Sequence, residues 1–274
     1  METHDLETNG PRATAVVPGE LRRERMLSAL REHEFLRVTE LGEMFGISEV
    51  TVRSDLDTLA EDGRVMRVRG GAMAPRARRG ERPFEEMRAA QAAEKAHIGR
   101  AAAQLVRSGE TVILDVGTTT TAVARALIAR QDLREVGIFT NAINIALEFE
   151  PSIPRFSVVV LGGTLRPLQH SLVDPLGGLA LAQIQANAVF LGCNGVDADG
   201  GITNINLPEA ALKRRMLAAA HRRIVVADGS KLGRVELARL CAVDEVDLLI
   251  TDASADDAVL SRLREKDVEV LVAT

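Results

Sequence analysis

The sequence has few of the residues that mark several common classes of protein. It contains no Trp, no Tyr and only seven Phe among 274 residues, so its core must be built mainly from Leu, Ile, Val and Ala. Its two cysteines, Cys193 and Cys241, are too few for a disulfide framework or a cysteine zinc site. No apolar run approaches the ~18 residues that a membrane span needs, and the polar N-terminus does not resemble a signal peptide. We therefore expect a reduced, cytoplasmic protein that does not enter a membrane.

Lysine is also scarce, since only Lys95, Lys213, Lys231 and Lys266 stand among 34 basic residues. Arginine supplies the solvated positive charge elsewhere. A retained lysine indicates a position that needs a compact ammonium group rather than a planar guanidinium.

The charge is unevenly distributed along the chain. The net charge is −5, yet the segment from Arg64 to Arg82 holds seven Arg and one Glu, which gives +6 and leaves −11 for the rest. A short basic strip on an acidic body favours local binding of a polyanion. A solvated basic linker explains the same charges, and charge alone does not separate the two.

Residues 20–73 show the pattern of a small helical domain with a hairpin. Apolar residues at helical spacing predict helices over Glu20–Arg31, Glu40–Phe45 and Glu49–Glu61. Thr39 and Ser48 are the predicted N-caps of the second and third helices. The residues predicted to face inward are Leu21, Met26, Leu27, Leu30, Leu41, Met44, Phe45, Val52, Leu56, Leu59 and Ala60.

After Gly63, which is predicted to end the third helix, Arg64–Arg69 predicts a strand with one solvent-exposed face, and Gly70 and Gly71 allow a turn. Such a layout is typical of a winged helix-turn-helix, in which a capped helix N-terminus enters the major groove and the wing contacts phosphates. A helical domain with a solvated hairpin is the alternative. The residues predicted to contact a double-stranded DNA operator are Thr39, Ser48, Glu49, Thr51, Arg53, Ser54, Arg67 and Arg69.

From residue 84 onward, helices and short apolar strands alternate. We predict a long helix over Glu85–Val106 and shorter helices over Thr120–Ala129, Ala142–Leu147, Leu176–Gln183, Glu209–Ala220 and Asp256–Arg264. The predicted strands are Thr111–Asp115, Val136–Thr140, Ser157–Leu161, Ala188–Leu191, Arg223–Ala227, Leu248–Thr251 and Val268–Val272. This pattern predicts an α/β domain with a mainly parallel sheet covered on both faces, and ligands of such sheets bind at the carboxyl ends of the strands.

Polar clusters follow several of these strands. Asp115 and Gly117 precede four threonines that open a helix, an arrangement that can cradle a phosphate on backbone N–H groups. An N-cap with spare threonines is the alternative. Glu209 and Lys213, four residues apart on a helix, predict a surface ion pair, while Lys231 is a better ligand candidate. Cys193 is predicted to be a buried small residue rather than a nucleophile.

The N-terminal domain contains a characteristic set of short motifs: Val38-Thr39-Glu40-Leu41, Phe45-Gly46-Ile47-Ser48, Thr51-Val52-Arg53-Ser54-Asp55-Leu56, Leu59, Gly63 and Arg67-Val68-Arg69-Gly70-Gly71-Ala72. These residues strongly resemble the DNA-binding domain of the DeoR family of bacterial transcriptional repressors. The resemblance implies that Asp55 is structural. The family usually has a second Arg where this chain has Ser54, which affects one DNA contact and not the fold.

The later clusters resemble the effector-sensing half of the same family. They are Glu94-Lys95, Ile98-Gly99, Asp115, Gly117-Thr118-Thr119-Thr120, Thr140-Asn141, Gly162-Gly163, Gly195-Val196-Asp197, Lys213, Asp228-Gly229-Ser230-Lys231 and Thr251-Asp252. This domain is similar to ribose-5-phosphate isomerase and CoA-transferase folds and, by the resemblance, senses phosphorylated sugars or related metabolites. Asp174 stands where the family commonly has Gly, a change that narrows the pocket or repels an anion.

These observations predict four segments: a disordered leader (1–19), a winged helix-turn-helix (20–73), a linker (74–83) and an effector-sensing domain (84–274). The predicted effector-binding residues are Asp115, Gly117, Thr118, Thr119, Thr120, Asn141, Gly163, Asp197, Glu209, Lys213 and Lys231. We expect no metal, cofactor or catalytic residue. The predicted function is a repressor of a sugar-catabolism operon, assembled as a homodimer or tetramer. The alternative is a sugar-phosphate isomerase with an appended DNA-binding head, in which Asp197, Glu209 or Lys231 would act as acid or base.

Overall fold

The computed structural model describes residues 19–33, 35–61, 64–68, 70–73, 81–173 and 175–274. Gly63, Arg69 and Asp174 lie outside the described residues, as do nearly all of the predicted leader and most of the predicted linker. The chain divides into two compact units, Met1–Gly80 and Glu81–Thr274. We call them the N-terminal unit and the sensor unit.

The N-terminal unit combines three helices with a small sheet. Its elements are α1 Gly19–His33, β1 Phe35–Arg37, α2 Val38–Phe45, α3 Glu49–Glu61, β2 Met66–Val68 and β3 Gly71–Met73. The strands are antiparallel, with β3 between β1 and β2. The sequence does not predict β1, because three residues show no periodicity and their partners lie more than 30 positions away. A helix-turn-helix followed by a β-ribbon is the winged arrangement that the sequence predicts.

The apolar core of this unit lies between the three helices and the sheet, with Met26, Leu41 and Leu56 fully buried. Two of the residues predicted to face inward do not, since Leu21 is 48% exposed and Met44 is 51% exposed. Leu21 precedes Met26 by five residues, which turns it about 140° away on the helix. Met44 lies beside the buried stripe of α2 rather than on it.

The caps of α2 and α3 differ from each other. Thr39 is not an N-cap: α2 begins at Val38, and the Glu40 carboxylate accepts a hydrogen bond from the Arg37 N–H at 2.7 Å. Ser48 is confirmed as a cap, because its Oγ accepts from the Thr51 N–H at 3.2 Å. Gly46, with φ 63°, ends α2 in the left-handed conformation that glycine adopts without strain.

The predicted wing strand is shorter than expected and lacks a buried face. Met66 is 48% exposed and the neighbouring Arg67 is also exposed, whereas the buried apolar residue is Val65, before the strand. The strand predicted over Arg64–Arg69 is therefore observed only over Met66–Val68, and it has no buried residue.

The sensor unit is an α/β structure. Its helices are α4 Phe84–Ala89, α5 Ala92–Ala103, α6 Thr118–Ala129, α7 Ile143–Phe149, α8 Leu176–Leu181, α9 Leu207–Ala218 and α10 Asp257–Arg264. Its strands are β4 Thr111–Leu114, β5 Val136–Thr140, β6 Phe156–Val160, β7 Thr164–Arg166, β8 Ser171–Val173, β9 Ala186–Leu191, β10 Gly195–Asp197, β11 Gly201–Asn204, β12 Ala220–Val226, β13 Ala238–Cys241, β14 Leu248–Asp252 and β15 Glu269–Ala273.

Seven strands form one parallel sheet in the order β15-β14-β12-β9-β4-β5-β6. The chain runs outward from β4 through β5 to β6, then returns to β9 and runs outward on the other side. The strand order thus reverses between β4 and β9, and a crevice opens at the carboxyl ends of strands at such a switch point. The parallel sheet predicted from the sequence is confirmed.

Helices cover both faces of this sheet. One core joins α5, α6 and α7 to Val112 and Leu114 of β4, while the other joins α8, α9 and α10 to Ile113 of the same strand. This division follows from the alternation of side chains along a strand. The antiparallel hairpin β7–β8 and the small sheet β10-β11-β13 are not predicted from the sequence.

The long helix predicted over Glu85–Val106 is wrong, because it is two helices. Gln91 adopts a left-handed conformation with φ 48° between α4 and α5. Lys95 Nζ donates hydrogen bonds to Met87 O and Ala90 O, both at 2.5 Å. The buried ammonium group therefore satisfies carbonyl groups that a continuous helix would have bonded internally.

Candidate functional site

The predicted DNA-contacting residues gather at the exposed start of α3. Ser48, Glu49, Arg53 and Ser54 are exposed and Thr51 is half-buried. Arg53 Nη2 lies 2.8 Å from Glu49 Oε2, an exposed ion pair that a nucleic acid can replace. These side chains, with the hydroxyl groups and the guanidinium at a helix N-terminus, have the chemistry that reads base edges and phosphates.

The opposite face of α3 is held by Asp55. Its carboxylate accepts hydrogen bonds from Arg22 Nε at 2.6 Å and Arg23 Nη1 at 3.4 Å, and its side chain is 5% exposed. The pair ties α1 to α3, so Asp55 has the structural position that the family resemblance implies. It fixes the direction in which the exposed face of α3 points.

On the wing, Arg67 is engaged within the unit. Its Nε lies 2.9 Å from Asp57 Oδ1 and its Nη1 donates to Gly71 O at 3.3 Å. A phosphate contact by Arg67 would require exchange of Asp57 for the phosphate. Thr39 is exposed on α2, and the predicted DNA contacts remain predictions.

In the sensor unit, polar residues converge at the carboxyl edge of the parallel sheet. Asp115 follows β4, Asn141 follows β5, Gly192 follows β9, Asp228 lies two residues after β12, and Asp252 ends β14. The carboxyl ends of parallel strands share one edge, so these five positions lie in a row. Asp115 and Gly192 flank the switch point between β4 and β9.

A buried ion network occupies this switch point. Lys213 Nζ lies 2.7 Å from Asp115 Oδ2 and 3.2 Å from Glu209 Oε1, and it donates to Gly192 O at 2.8 Å. The prediction of a surface ion pair is wrong, because the side chains of Glu209 and Lys213 are only 6% and 3% exposed. The i,i+4 spacing is the same in both settings, and only the sheet packed against α9 makes this pair a buried one.

The network alters the acidity of its members. Burial raises the pKa of Asp115 to about 6, against the opposing charge of Lys213. Burial also disfavours the charged forms of Lys213 and Glu209, but their mutual attraction and the neighbouring charges outweigh it. The pKa of Lys213 is therefore raised and that of Glu209 lowered. Asp115 is the one member poised to change its charge near neutral pH.

One oxygen of this network is left unsatisfied. Asp115 Oδ2 accepts hydrogen bonds from Lys213 and from the Gly192 N–H at 3.1 Å, whereas Oδ1 is buried with no hydrogen-bond partner among the described residues. A buried acceptor without a partner costs free energy. It is a place where a hydroxyl group of a ligand could donate.

The threonines after Gly117 divide into two pairs. Thr120 and Thr121 direct their hydroxyls back to Gly117 O, at 2.9 and 2.7 Å, and are buried. Thr118 and Thr119 make no side-chain hydrogen bond to any described residue. Gly117 adopts φ 143°, which a side chain would disfavour. The Thr120 hydroxyl is thus used in a contact within the protein, whereas the hydroxyls of Thr118 and Thr119 can bind a ligand.

Asn141 acts as a clamp between segments. Its Oδ1 accepts from the Val116 N–H at 3.0 Å and its Nδ2 donates to Leu172 O at 3.2 Å. The side chain is fully buried, so both of these hydrogen bonds hold the chain after β4 against the β7–β8 hairpin. Its predicted role in binding an effector would therefore be indirect.

Replacing Asn141 by alanine should lower the free energy of unfolding by about 2–4 kcal/mol, because it leaves a buried donor and acceptor unpaired. Chemical denaturation followed by far-UV circular dichroism measures this, since the chain has no Trp or Tyr for fluorescence. Asn187→Ala is the matched control: the Asn187 side chain accepts from the Thr111 N–H at 2.8 Å at an exposed site. Equal losses in the two variants would contradict the role of Asn141.

Two further predicted effector residues have structural contacts. A Cβ at Gly163, with φ 149°, would lie 2.1 Å from Val173 O, so glycine is required for the approach of β8. Asp197 Oδ1 accepts from the N–H groups of Asp199 and Gly200 at 3.0 and 2.8 Å and closes the turn between β10 and β11. The structure does not direct these two groups at a ligand.

Lys231 lies in the turn after β12 and is half-buried. Burial lowers the pKa of Lys95; the charge of Asp228 opposes this and that of Lys231 adds to it. Burial likewise raises the pKa of Cys193 to about 12, and both Lys213 and Lys231 act against that rise. Lys231 itself follows β12, at the carboxyl edge of the sheet. Cys193 is half-buried, whereas the sequence predicts a fully buried residue, and its raised pKa keeps the thiol protonated.

Sequence reasoning missed Arg166, which extends the network. Its guanidinium forms ion pairs with Glu209 and Glu81, and its side chain is 15% exposed. Nothing in the sequence separates Arg166 from the other arginines. Its position in β7 depends on the antiparallel hairpin that the sequence does not predict.

A groove of about 470 Å³ lies elsewhere on the sensor unit. Phe84, Arg125, Leu147, Leu165 and His170 are among its lining residues, and none of the predicted effector residues lines it. Within the described ranges, no group of three or more His, Cys, Asp or Glu is placed to hold a metal ion. None of the described helices is both long and apolar enough to cross a membrane.

Comparison with known proteins assigns both units. The family model for a DeoR-like helix-turn-helix domain matches residues 22–78, and the model for the DeoR C-terminal sensor domain matches residues 90–253. The chain is 32% identical to the HTH-type transcriptional regulator YulB of Bacillus subtilis, over 91% of this chain and 95% of that protein. It is 29% identical to the glycerol-3-phosphate regulon repressor of Escherichia coli, over 89% and 95%.

Among solved structures, ribose 5-phosphate isomerase A from Methanocaldococcus jannaschii aligns with 52% of this chain and 55% of its own, at 14% identity and a TM-score of 0.39. The two family matches cover most of the chain, and each falls on the unit whose fold corresponds to it. The chain therefore belongs to the DeoR family and is a DNA-binding transcriptional regulator with a sensor domain.

Proposed function

We propose that the protein represses a sugar-catabolism operon and that a phosphorylated sugar or related metabolite weakens its hold on the operator. The buried Asp115–Lys213 pair at the switch point, beside the N-terminus of α6, is the observation that carries this proposal. The name of the glycerol-3-phosphate regulon repressor, which this chain resembles over most of its length, supports a phosphorylated ligand.

In this proposal the phosphate lies on the N-terminus of α6. The helix is 12 residues long and begins at Thr118, so its N–H groups and dipole favour an anion. Thr118 and Thr119 can donate their hydroxyls to the same group. A hydroxyl of the ligand donates to Asp115 Oδ1, which has no partner among the described residues.

A regulator without catalytic turnover fits these contacts better than an isomerase does. Isomerisation needs a general base beside the carbon that loses its proton. Glu209 is paired with Lys213 and Arg166, and Asp197 is occupied by turn N–H groups. Incubation with ribose 5-phosphate tests the alternative, and turnover that Asp197→Ala abolishes would overturn our assignment.

The proposal includes a homodimer or tetramer, because winged helices commonly read paired half-sites. It also places the protein in the cytoplasm, where operators lie. The stoichiometry of the operator complex tests the oligomer.

The double variant Thr118→Ala/Thr119→Ala should bind operator DNA as wild type does but no longer respond to the effector. A thermal-shift screen against ribose 5-phosphate, glycerol 3-phosphate and other phosphorylated sugars identifies the effector. At a hundredfold excess over its Kd, a ligand stabilises wild type by about 2.7 kcal/mol. The matched control is Thr58→Ala, which removes a threonine hydroxyl from α3, outside the sensor unit. Undiminished stabilisation of the double variant would refute the proposed phosphate position.

A further inference from the structure

Arg166 joins the candidate effector site to the start of the sensor unit. One side of its guanidinium, Nη1, pairs with Glu209, and Nη2 pairs with Glu81. Glu209 in turn contacts Lys213, which contacts Asp115. An unbroken series of charged contacts therefore runs from the switch point of the sheet to Glu81.

Glu81 belongs to a short segment, residues 81–85, that we call the strap. In the sequence, the strap begins inside the predicted arginine-rich linker (74–83), which follows the DNA-binding unit. The β7–β8 hairpin makes two more polar contacts with the strap: Gln169 Nε2 donates to Arg82 O at 2.6 Å, and His170 Nε2 lies 2.8 Å from Glu85 Oε1. Both are exposed and contribute little by themselves. The far end of the strap is anchored by Phe84, which is 3% exposed and meets the His170 ring edge-on at 5.4 Å. The pair with Arg166 is therefore the main attachment of the start of the strap, residues 81–83.

The charges of this series do not balance. Asp115, Glu209 and Glu81 supply three carboxylates, whereas Lys213 and Arg166 supply two cations. Burial and the charge of Glu209 raise the pKa of Glu81 against the opposing charge of Arg166, so its negative charge is less favourable here than in water. A further anion at this site would compete for the same two cations.

The three carboxylates are not held equally. Asp115 is fully buried and bonded to Lys213 and Gly192. Glu209 contacts Lys213, Arg166 and Asn204, the last at 3.2 Å from Nδ2. Glu81 has Arg166 as its single ion-pair partner among the described residues, and its side chain is 15% exposed. Of the three carboxylates, Glu81 is therefore the one whose dissociation from its partner costs the least free energy.

We propose that Arg166 couples the effector site to the linker: when an anionic ligand binds beside Lys213, Arg166 turns toward it, Glu81 dissociates, and the start of the strap, residues 81–83, detaches from the β7–β8 hairpin while Phe84 stays anchored. This inference rests on the proposed function and adds to it a route by which occupancy reaches the segment that carries the DNA-binding unit. The bistable element is the start of the strap, which is attached or free.

Hydrogen exchange of the strap, measured by mass spectrometry on the full-length chain, tests this. In phosphate-free buffer, Glu81→Gln should raise the exchange rate of the peptide that contains the strap and Met87 by about tenfold. The Met87 N–H donates to Pro83 O of the strap at 3.1 Å, and this hydrogen bond opens more often when the charged side-chain contact of Glu81 is lost. The control is Glu86→Gln. It removes the exposed ion pair between Glu86 of α4 and Arg82, and the strap should exchange in this variant as it does in wild type. Arg166→Lys, which keeps the charge but loses the fork that bridges two carboxylates, should behave as Glu81→Gln.

Ribose 5-phosphate and inorganic phosphate are then added as probes, with binding followed by thermal shift. A probe that stabilises wild type should speed strap exchange in wild type and in Glu86→Gln, and have no further effect in Glu81→Gln. Binding without faster exchange would overturn the coupling and leave the effector site intact. Failure of both probes and of the wider sugar-phosphate panel to bind would overturn the proposed function and the coupling with it. Strap exchange in Glu81→Gln equal to wild type would overturn the coupling whatever binds.

Discussion

Replacing Arg53 by alanine should weaken operator binding by about 10- to 100-fold, the loss that accompanies removal of one guanidinium contact to a base or phosphate, roughly 1–3 kcal/mol. Arg53 is suited to this role because it is exposed on the N-terminal half of α3, and its one ion pair among the described residues is with the exposed Glu49. The protein fold does not depend on that pair. Fluorescence anisotropy with a labelled promoter fragment at fixed salt measures the change.

Two controls show whether the loss belongs to the DNA-binding face. Arg262→Ala removes an equally exposed arginine, paired with Asp199 on the sensor unit, and should bind the operator as wild type does. Stabilisation of Arg53→Ala by the effector should also be unchanged. If Arg53→Ala weakened effector and operator binding alike, the division of labour between the two units would be wrong.

Replacing Lys213 by methionine should lower the free energy of unfolding by about 3–5 kcal/mol at neutral pH, the cost of leaving buried charges without their partner. Lys213 is fully buried between Asp115 and Glu209. Methionine fills a similar volume, so the loss reports the charge rather than a cavity. Far-UV circular dichroism during chemical denaturation measures it, and Lys266→Met, which removes an exposed partner of Asp199, is the control.

The effect of Lys213→Met should shrink as the pH falls. Burial already raises the pKa of Asp115 to about 6 in the intact network, and loss of the Lys213 charge raises it further. A carboxyl group whose folded pKa exceeds its unfolded value binds its proton more tightly in the folded state, so its stabilising contribution is present at low pH and lost as the pH rises through the folded pKa. The variant should therefore differ less from wild type at pH 5 than at pH 8, and Asp115→Asn in the same chain should restore part of the loss. A pH-independent difference would contradict this account of the network.

The sequence predicts the parts of the fold that depend on local signals. Ser48 ends one irregular segment and caps α3 because its hydroxyl reaches the N–H three residues later. The strands of the parallel sheet are predicted because their apolar runs are short and bounded by polar residues. In contrast, β1 pairs with β3 more than 30 positions away. The strands β7 and β8 pair with each other, but each has only three residues, which is too short to show a periodicity.

The candidate site is predicted in its position but not in its contacts. Asp115 and Lys213 are recognisable from their place after a strand and on a helix, but the sequence places Lys213 on the surface. Its burial depends on the packing of α9 against the sheet. Arg166 is not predicted because its two carboxylate partners lie 85 and 43 positions away. Thr120 and Asn141 look like ligands in the sequence, yet their polar groups bond to the backbone.

The central claim is that a ligand at the edge of the sheet changes how tightly the N-terminal unit holds DNA. The most direct test is the Kd of the full-length protein for its own promoter fragment, measured by anisotropy at several salt concentrations, with and without each phosphorylated sugar that stabilises the protein. We predict that one such compound raises the Kd by about 5- to 150-fold, the usual range of coupling between two sites. A Kd that no phosphorylated sugar alters at any salt concentration would contradict the account.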